Sequence, residues 1–290
     1  MSFRAALKTC AAEVDAHLIA QIRTHDPIPV VEAMAYAVAG GKGLRGYLVM
    51  ESARIHGVDP NRALWSAAAI EAIHAYSLVH DDMPCMDDDD LRRGHPTVHI
   101  KWNETTAVLT GDALQSLGFE LVTDPRCHEN AQVRAELALT LARASGARGM
   151  VLGQALDIAA ESAASQLTLE EITALQAGKT GALISWSAQA GAIMGQAETA
   201  PLSAYADALG LAFQIADDIL DVEGDAEVAG KRLQKDADAG KATFVSLLGL
   251  EPARARAAEL VDEAISALSV YGDSADELRA AARFVISRDT

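Results

Sequence analysis

Two aspartate clusters constrain this chain more than any other feature. Asp81-Asp82-Met83-Pro84-Cys85-Met86-Asp87 runs on through Asp88, Asp89 and Asp90 into Leu91-Arg92-Arg93-Gly94. Far downstream stands Asp217-Asp218-Ile219-Leu220-Asp221. Each cluster follows an apolar stretch with helical spacing, so each falls where a helix ends. Carboxylates there face the negative end of the helix dipole. Packed this densely, they also repel one another unless something cancels the charge. Oxygen-only ligands call for a hard divalent cation. Mg²⁺ takes a few carboxylates plus substrate phosphates in preference to an all-protein cage. With Lys and Arg downstream of both clusters, the pattern points to metals and cations that together grip a diphosphate.

The rest of the chain reads as helix. Apolar residues recur with helical spacing in almost every segment. Aromatics are only 4% of the 290 residues, and alanine, abundant here, is the best helix former and lets helices pack closely. Breakers divide the helices. Pro27 and Pro29 separate the first from the second, and Gly40-Gly41-Lys42-Gly43 precedes the third. Asp59-Pro60 caps a long helix over about 61–82, which Pro84 and the acidic run stop. Further helices are expected over roughly 98–122, 130–145 and 149–161. Thr168-Leu169-Glu170-Glu171 is a capping box that opens the next, followed by 180–196, with Gly181 a weak point, and by one from Pro201 to near Asp221. Residues 222–240 read as a polar loop, and two or three helices close the chain. No repeat or linker divides it, so a single all-α domain over 1–290 is expected.

A net charge of −17 argues against nucleic acid, which needs a basic surface. Cys10, Cys85 and Cys127 are scattered and odd in number, which fits a reducing cytoplasmic location. No stretch reaches the length of a membrane span.

Asp217 and Asp221 are one turn apart on one helix face and can share a metal. Pro84 lets Asp87 curl back toward Asp81. Arg92 and Arg93 suit bidentate phosphate recognition. Lys42 and Arg45 stand at a helix start, where N–H groups also favour anions. Lys179-Thr180 lies at another helix boundary, Gln214 one turn before Asp217, and Lys231 and Lys241 flank the loop after it. His80 reads as a packing residue, because Mg²⁺ prefers oxygen.

The chain resembles the trans-type polyprenyl diphosphate synthases, closest to the bacterial farnesyl diphosphate synthases. The passages are GGKGLR (40–45), IEAIHAYSLVHDDMPCMDDDDLRRGHPTVH (70–99), GDALQ (111–115), GQALD (153–157), KTGALI (179–184), GLAFQIADDILDVEGD (210–225) and GKATF (240–244). The resemblance implies an all-α bundle of ten or more helices around a central cavity, with the two Asp motifs facing each other across its mouth. It implies Asp81, Asp87 and Asp217 as the main Mg²⁺ ligands, with Asp82, Asp218 and Asp221 in the same metal group and three ions bound with the diphosphate. Arg92, Lys179, Lys231 and Lys241 match cations that hold an allylic diphosphate. Lys42, Arg45, His74 and Arg93 match a pocket for isopentenyl diphosphate. Thr180 and Gln214, with Lys179 and Lys241, match groups around the reacting carbons. A homodimer is implied as well.

The activity implied is Mg²⁺-dependent head-to-tail condensation of isopentenyl diphosphate with dimethylallyl or geranyl diphosphate. Tyr76, five residues before Asp81, with Ser77 beside it, would floor the cavity and stop growth at fifteen carbons. A geranyl or geranylgeranyl product, a terpene cyclase and a non-catalytic subunit are the alternatives. The cyclase lacks a need for Lys42, Arg45 and Arg93, and both Asp motifs argue against the subunit. The family usually reads G-G-K-R-L-R-P. Gly43 and Gly46 depart from it, and the expectation is a helix start loosened by two glycines and a weaker isopentenyl site.

Overall fold

The computed structural model describes residues 2–161, 166–223 and 242–287. Among them the chain is almost wholly helical, with more than ten α-helices and one two-residue hairpin. It divides into two compact units, Met1–Leu139 with Ala190–Ala197, and Thr140–Gln189 with Glu198–Thr290.

The first unit is built around α4 (Pro60–Asp81). Asp59 caps it by accepting from the Asn61 N–H at 2.9 Å, and Pro60 fills the first position. Its alanines at 63, 67, 68, 69, 72 and 75 are buried, together with Trp65, Ile70, Ile73, Tyr76 and Val79. A helix buried on nearly every side needs neighbours all round. They are α1 (Phe3–Ile22), α2 (Pro29–Val38), α3 (Leu44–Ile55) and α6 (Glu104–Thr123).

Two glycines let α6 close on α4. A β-carbon at Gly111 would stand 2.0 Å from His80 Nε2, and one at Gly118 would stand 2.8 Å from Ile73 Cγ1. Seven residues apart, both lie on one face of α6. His80 uses that space to bond the Val108 carbonyl at 3.1 Å, in keeping with a packing role.

The expected helix over 98–122 is broken into α5 (Val98–Lys101) and α6. Trp102 leaves the helical region, and the Asn103 side chain accepts from the Thr106 N–H at 2.8 Å, capping a new start. A second unexpected element is the hairpin of β1 (Leu91–Arg92) and β2 (His95–Pro96), with Leu91 opposite Pro96 and Arg92 opposite His95. Its turn residues Arg93 and Gly94 have φ of 54° and 76°. Positive φ at both turn positions belongs to the tight hairpin turn that matches strand twist.

The second unit holds α8 (Met150–Glu161), α9 (Leu169–Gln176), α11 (Ala200–Glu223) and the helices Phe244–Leu248, Leu250–Ala267 and Asp276–Ser287. Thr168 and Glu171 form the expected capping box. The helix expected from 180 is instead α10 (Ala182–Met194), preceded by a π-helical turn, Ala177–Gly181. α11 continues two residues into the stretch read as loop, and 224–241 lies outside the described residues. No described helix is long and apolar enough to cross a membrane.

Gly111→Ala should cost about 2 kcal/mol by overpacking and lower Tm by roughly 4–8 °C in thermal unfolding followed by circular dichroism. An unchanged Tm would mean that α4 and α6 have room to spare.

Candidate active site

At the end of α4 the chain turns back on itself. The Asp87 N–H donates to the Asp81 carbonyl at 2.8 Å, the Asp89 N–H to the Asp82 carbonyl at 3.2 Å, and the Thr97 N–H to the Asp90 carbonyl at 2.9 Å. Exposed C-terminal carbonyls of α4 are thus satisfied by the acidic loop itself. Asp87 is brought back to Asp81, as the proline in the motif predicts. The hairpin then returns Arg92 to the helix end. Its Nε donates to Asp82 Oδ1 at 2.7 Å, a second guanidinium nitrogen contacts the same oxygen, and Asp89 lies 3.8 Å away. Burial pushes the Asp82 carboxyl up, and Arg92 opposes that shift.

Arg93 turns the other way and donates to the Ala39 carbonyl at 3.4 Å. Its guanidinium stands over Gly41, where a β-carbon would be 3.4 Å from it. Arg45 and Arg93 lie close enough to His74 to lower its pKa further after burial has done most of the work. His74 is therefore a neutral imidazole, able to offer an N–H but no charge. Arg45, His74 and Arg93 are thus gathered as expected, while Lys42 stands exposed in the turn before α3.

A cavity of about 290 Å³ opens here, lined among others by Ala39, Gly40, Leu78, Asp82, Arg92 and Arg93. Tyr36 fixes its wall by donating to the Pro96 carbonyl at 2.7 Å, with the Lys101 ammonium 3.5 Å above its ring.

The looseness expected at residues 43–46 is absent. Gly43 has φ of 66° and is pressed against α1, so a β-carbon would come within 2.5 Å of the Ala11 β-carbon. Gly46 donates its N–H to Glu71 Oε1 at 2.8 Å. Close approach requires glycine at 43, and at 46 a β-carbon would be a tight fit, 3.3 Å from Glu71 Oε1 and Val14 Cγ1.

In the second unit, Asp218 is buried and its two oxygens accept from Gln214 Nε2 at 3.1 Å and from the Phe244 N–H at 2.7 Å. Thr180 Oγ1 donates to Gln214 Oε1 at 3.4 Å. Lys179 Nζ donates to Asp157 Oδ2 at 2.6 Å. Lys179 and Thr180 stand on the π-helical turn, a feature often found at functional sites. Glycine admits that turn to its neighbours: a β-carbon at Gly153 would be 2.0 Å from the Lys179 nitrogen, and one at Gly210 would be 3.2 Å from Gly181 Cα. This explains the glycines of GQALD and GLAFQ. Lys231 and Lys241 lie outside the described residues.

Among the described residues no three His, Cys, Asp or Glu side chains converge as a metal cage. Mg²⁺ takes a few carboxylates and completes its octahedron with water and substrate phosphate. The donors of each cluster suit it, since Asp81 and Asp87 in one and Asp217 and Asp221 in the other offer only carboxylate oxygen. Asp82 and Asp218, grouped with the ligands by the resemblance, are engaged by Arg92 and by Gln214 and Phe244 respectively.

Tyr76 is buried in α4, its ring edge-on to His80 at 5.9 Å. Ser77 turns its hydroxyl back to the His74 carbonyl at 2.9 Å. Sequence reasoning missed Glu71, Asp15 and Asp157. Asp157 lay within a quoted passage, but nothing in its spacing announced a lysine partner 22 residues on.

A family model described as "Polyprenyl synthetase" matches residues 29–280. A farnesyl diphosphate synthase of Haemophilus influenzae is 44% identical over 275 residues, covering 92% of this chain and 91% of that one. One of Escherichia coli is 45% identical over 270 residues, covering 90% of each. The solved apo structure of an FPP/GFPP synthase from Zymomonas mobilis superposes with a TM-score of 0.90 at 48% identity, covering 98% of both chains. With a family model matched over most of its length and relatives this similar from end to end, the chain belongs to the polyprenyl synthetase family.

Proposed function

We propose that the protein is a prenyltransferase that condenses isopentenyl diphosphate with dimethylallyl and then geranyl diphosphate to give farnesyl diphosphate. The observation that carries this is the acidic loop folded back on α4, which sets Asp87 beside Asp81 and Arg92 on Asp82. Farnesyl diphosphate synthases at 44–45% identity support the product.

The allylic C1–O bond breaks and its electron pair leaves with the diphosphate. The isopentenyl double bond then attacks C1, forming the new C1′–C4 bond. The resulting cation loses a proton from C2, and the departed diphosphate is the base. Asp81, Asp87, Asp217 and Asp221 would hold Mg²⁺, which supplies Lewis-acid stabilisation of the leaving diphosphate when bound. Arg92 and Lys179 add fixed positive charge to that diphosphate. Asp82 and Asp157 orient them through the contacts at 2.7 and 2.6 Å. Lys231 and Lys241 are assigned to the same diphosphate. Asp218 fixes the Gln214 amide, and Gln214 in turn receives the Thr180 hydroxyl, so these groups are oriented before substrate arrives. Lys42, Arg45, Arg93 and the neutral His74 N–H take the isopentenyl diphosphate.

Tyr76 sets chain length. Its ring is buried and packs edge-on against His80. A longer product is the second reading, favoured by the similarity to the FPP/GFPP synthase of Zymomonas mobilis.

Purified protein given Mg²⁺, isopentenyl diphosphate and, separately, dimethylallyl, geranyl or farnesyl diphosphate should yield a C15 product from the first two and none from the third. Chromatography of the dephosphorylated alcohols decides this, and C20 or C25 from farnesyl diphosphate would refute the floor. Tyr76→Ala should shift the main product beyond C15. Asp81→Ala should lower kcat by about 10²–10³, with wild-type activity abolished by chelator and restored by Mg²⁺. A chelator-insensitive enzyme would contradict the metal assignment.

A further inference from the structure

A carboxylate set among cations that bind an anion demands an explanation, because it competes for the same positive charge. Glu71 is such a group. It sits on α4, one turn before His74. Burial pushes its carboxyl up, while the Gly46 N–H, Arg45 and Arg93 pull it down and Asp15 opposes them. It therefore lies among Arg45, Arg93 and Asp15. Asp15 in turn accepts from the Gly40 N–H at 3.4 Å.

The bond from Gly46 explains its position. The first N–H groups of a helix have no partner inside it. At the start of α3 the N-cap is Gly43, which has no side chain to accept them. Any side chain at 43 would run into Ala11. Glu71 does the capping from a different helix, with its Oε1 2.8 Å from the Gly46 nitrogen. The site is tight, because a β-carbon at 46 would be 3.3 Å from both Glu71 Oε1 and Val14 Cγ1. A proline at 46 would have no N–H to give. Arg45 is the residue next to the tethered nitrogen, so the bond fixes the backbone from which the Arg45 guanidinium extends.

We infer that Glu71 is a positioning residue for the isopentenyl diphosphate pocket, tethering the start of α3 through Gly46 so that Arg45 meets the diphosphate, with reach rather than charge as the property that matters. This rests on the prenyltransferase reading above. It also accounts for this chain keeping glycine at 43 and 46, since α1 contact at one and the tether at the other replace a side-chain cap.

Two variants separate reach from charge. Glu71→Asp keeps the charge and withdraws the oxygen by one methylene. Glu71→Gln keeps an oxygen in place and removes the charge. With geranyl diphosphate saturating, Glu71→Asp should raise the KM for isopentenyl diphosphate about 10-fold, as expected for a misplaced binding group. Glu71→Gln should raise it far less. The KM for geranyl diphosphate, measured with isopentenyl diphosphate saturating, should move in neither. Three results would overturn the inference: an unaltered isopentenyl KM in Glu71→Asp, a larger loss in Glu71→Gln than in Glu71→Asp, or equal losses for both substrates. Each leaves the prenyltransferase reading intact. If wild-type protein neither forms product nor binds isopentenyl diphosphate by calorimetry, that reading fails and the inference with it.

Discussion

The ion pair between Asp82 and Arg92 is the contact on which the acidic end of α4 depends. Carboxylates crowded at the negative end of a helix dipole destabilise it. Here one of them is buried and neutralised by a guanidinium that arrives on a two-residue hairpin. The same return of the chain supplies N–H donors to the last carbonyls of α4. The loop therefore stabilises the helix end and leaves Asp81 and Asp87 side by side. In the second unit Asp218 serves in the same manner, holding Gln214 and the Phe244 N–H. In each cluster one buried aspartate organises its surroundings.

Small residues make this arrangement compact. α4 is buried through its alanines, and α6 reaches it through Gly111 and Gly118. The π-helical turn that carries Lys179 and Thr180 is seated by Gly153 and Gly210. A β-carbon at these positions would meet the His80 ring, the Ile73 side chain or the backbone of the π-helical turn. Cations and carboxylates are thus mounted on helices whose spacing is fixed by contact, and that is what holds binding groups to the tolerance catalysis needs.

Much of this was legible in the residues. Proline, capping aspartate and capping threonine mark helix starts by local hydrogen bonding, and Asp59, Pro60 and Thr168 behave accordingly. The proline in the first motif predicts the return of Asp87. What was not legible depends on contacts remote in sequence. Arg93 adopts positive φ, which a non-glycine residue seldom does, so the hairpin carried a weak signal. Gly43 and Gly46 read as sources of looseness because only the fold reveals Ala11 and Glu71 against them. The break at Trp102 and the π-helical turn replace what periodicity alone continues as helix. The resemblance groups all six aspartates around the metal, and only the fold shows Asp82 held on Arg92 and Asp218 on Gln214 and Phe244.

The central claim is that the remaining carboxylates are held for a cation that arrives together with a diphosphate. Calorimetric titration with inorganic diphosphate, with Mg²⁺ and then with chelator, tests it most directly. Binding should be strong with Mg²⁺, lost with chelator, and lost again in Asp81→Ala with Mg²⁺ present. Equal affinity with and without the metal would show that Lys and Arg alone hold the anion and would contradict the account.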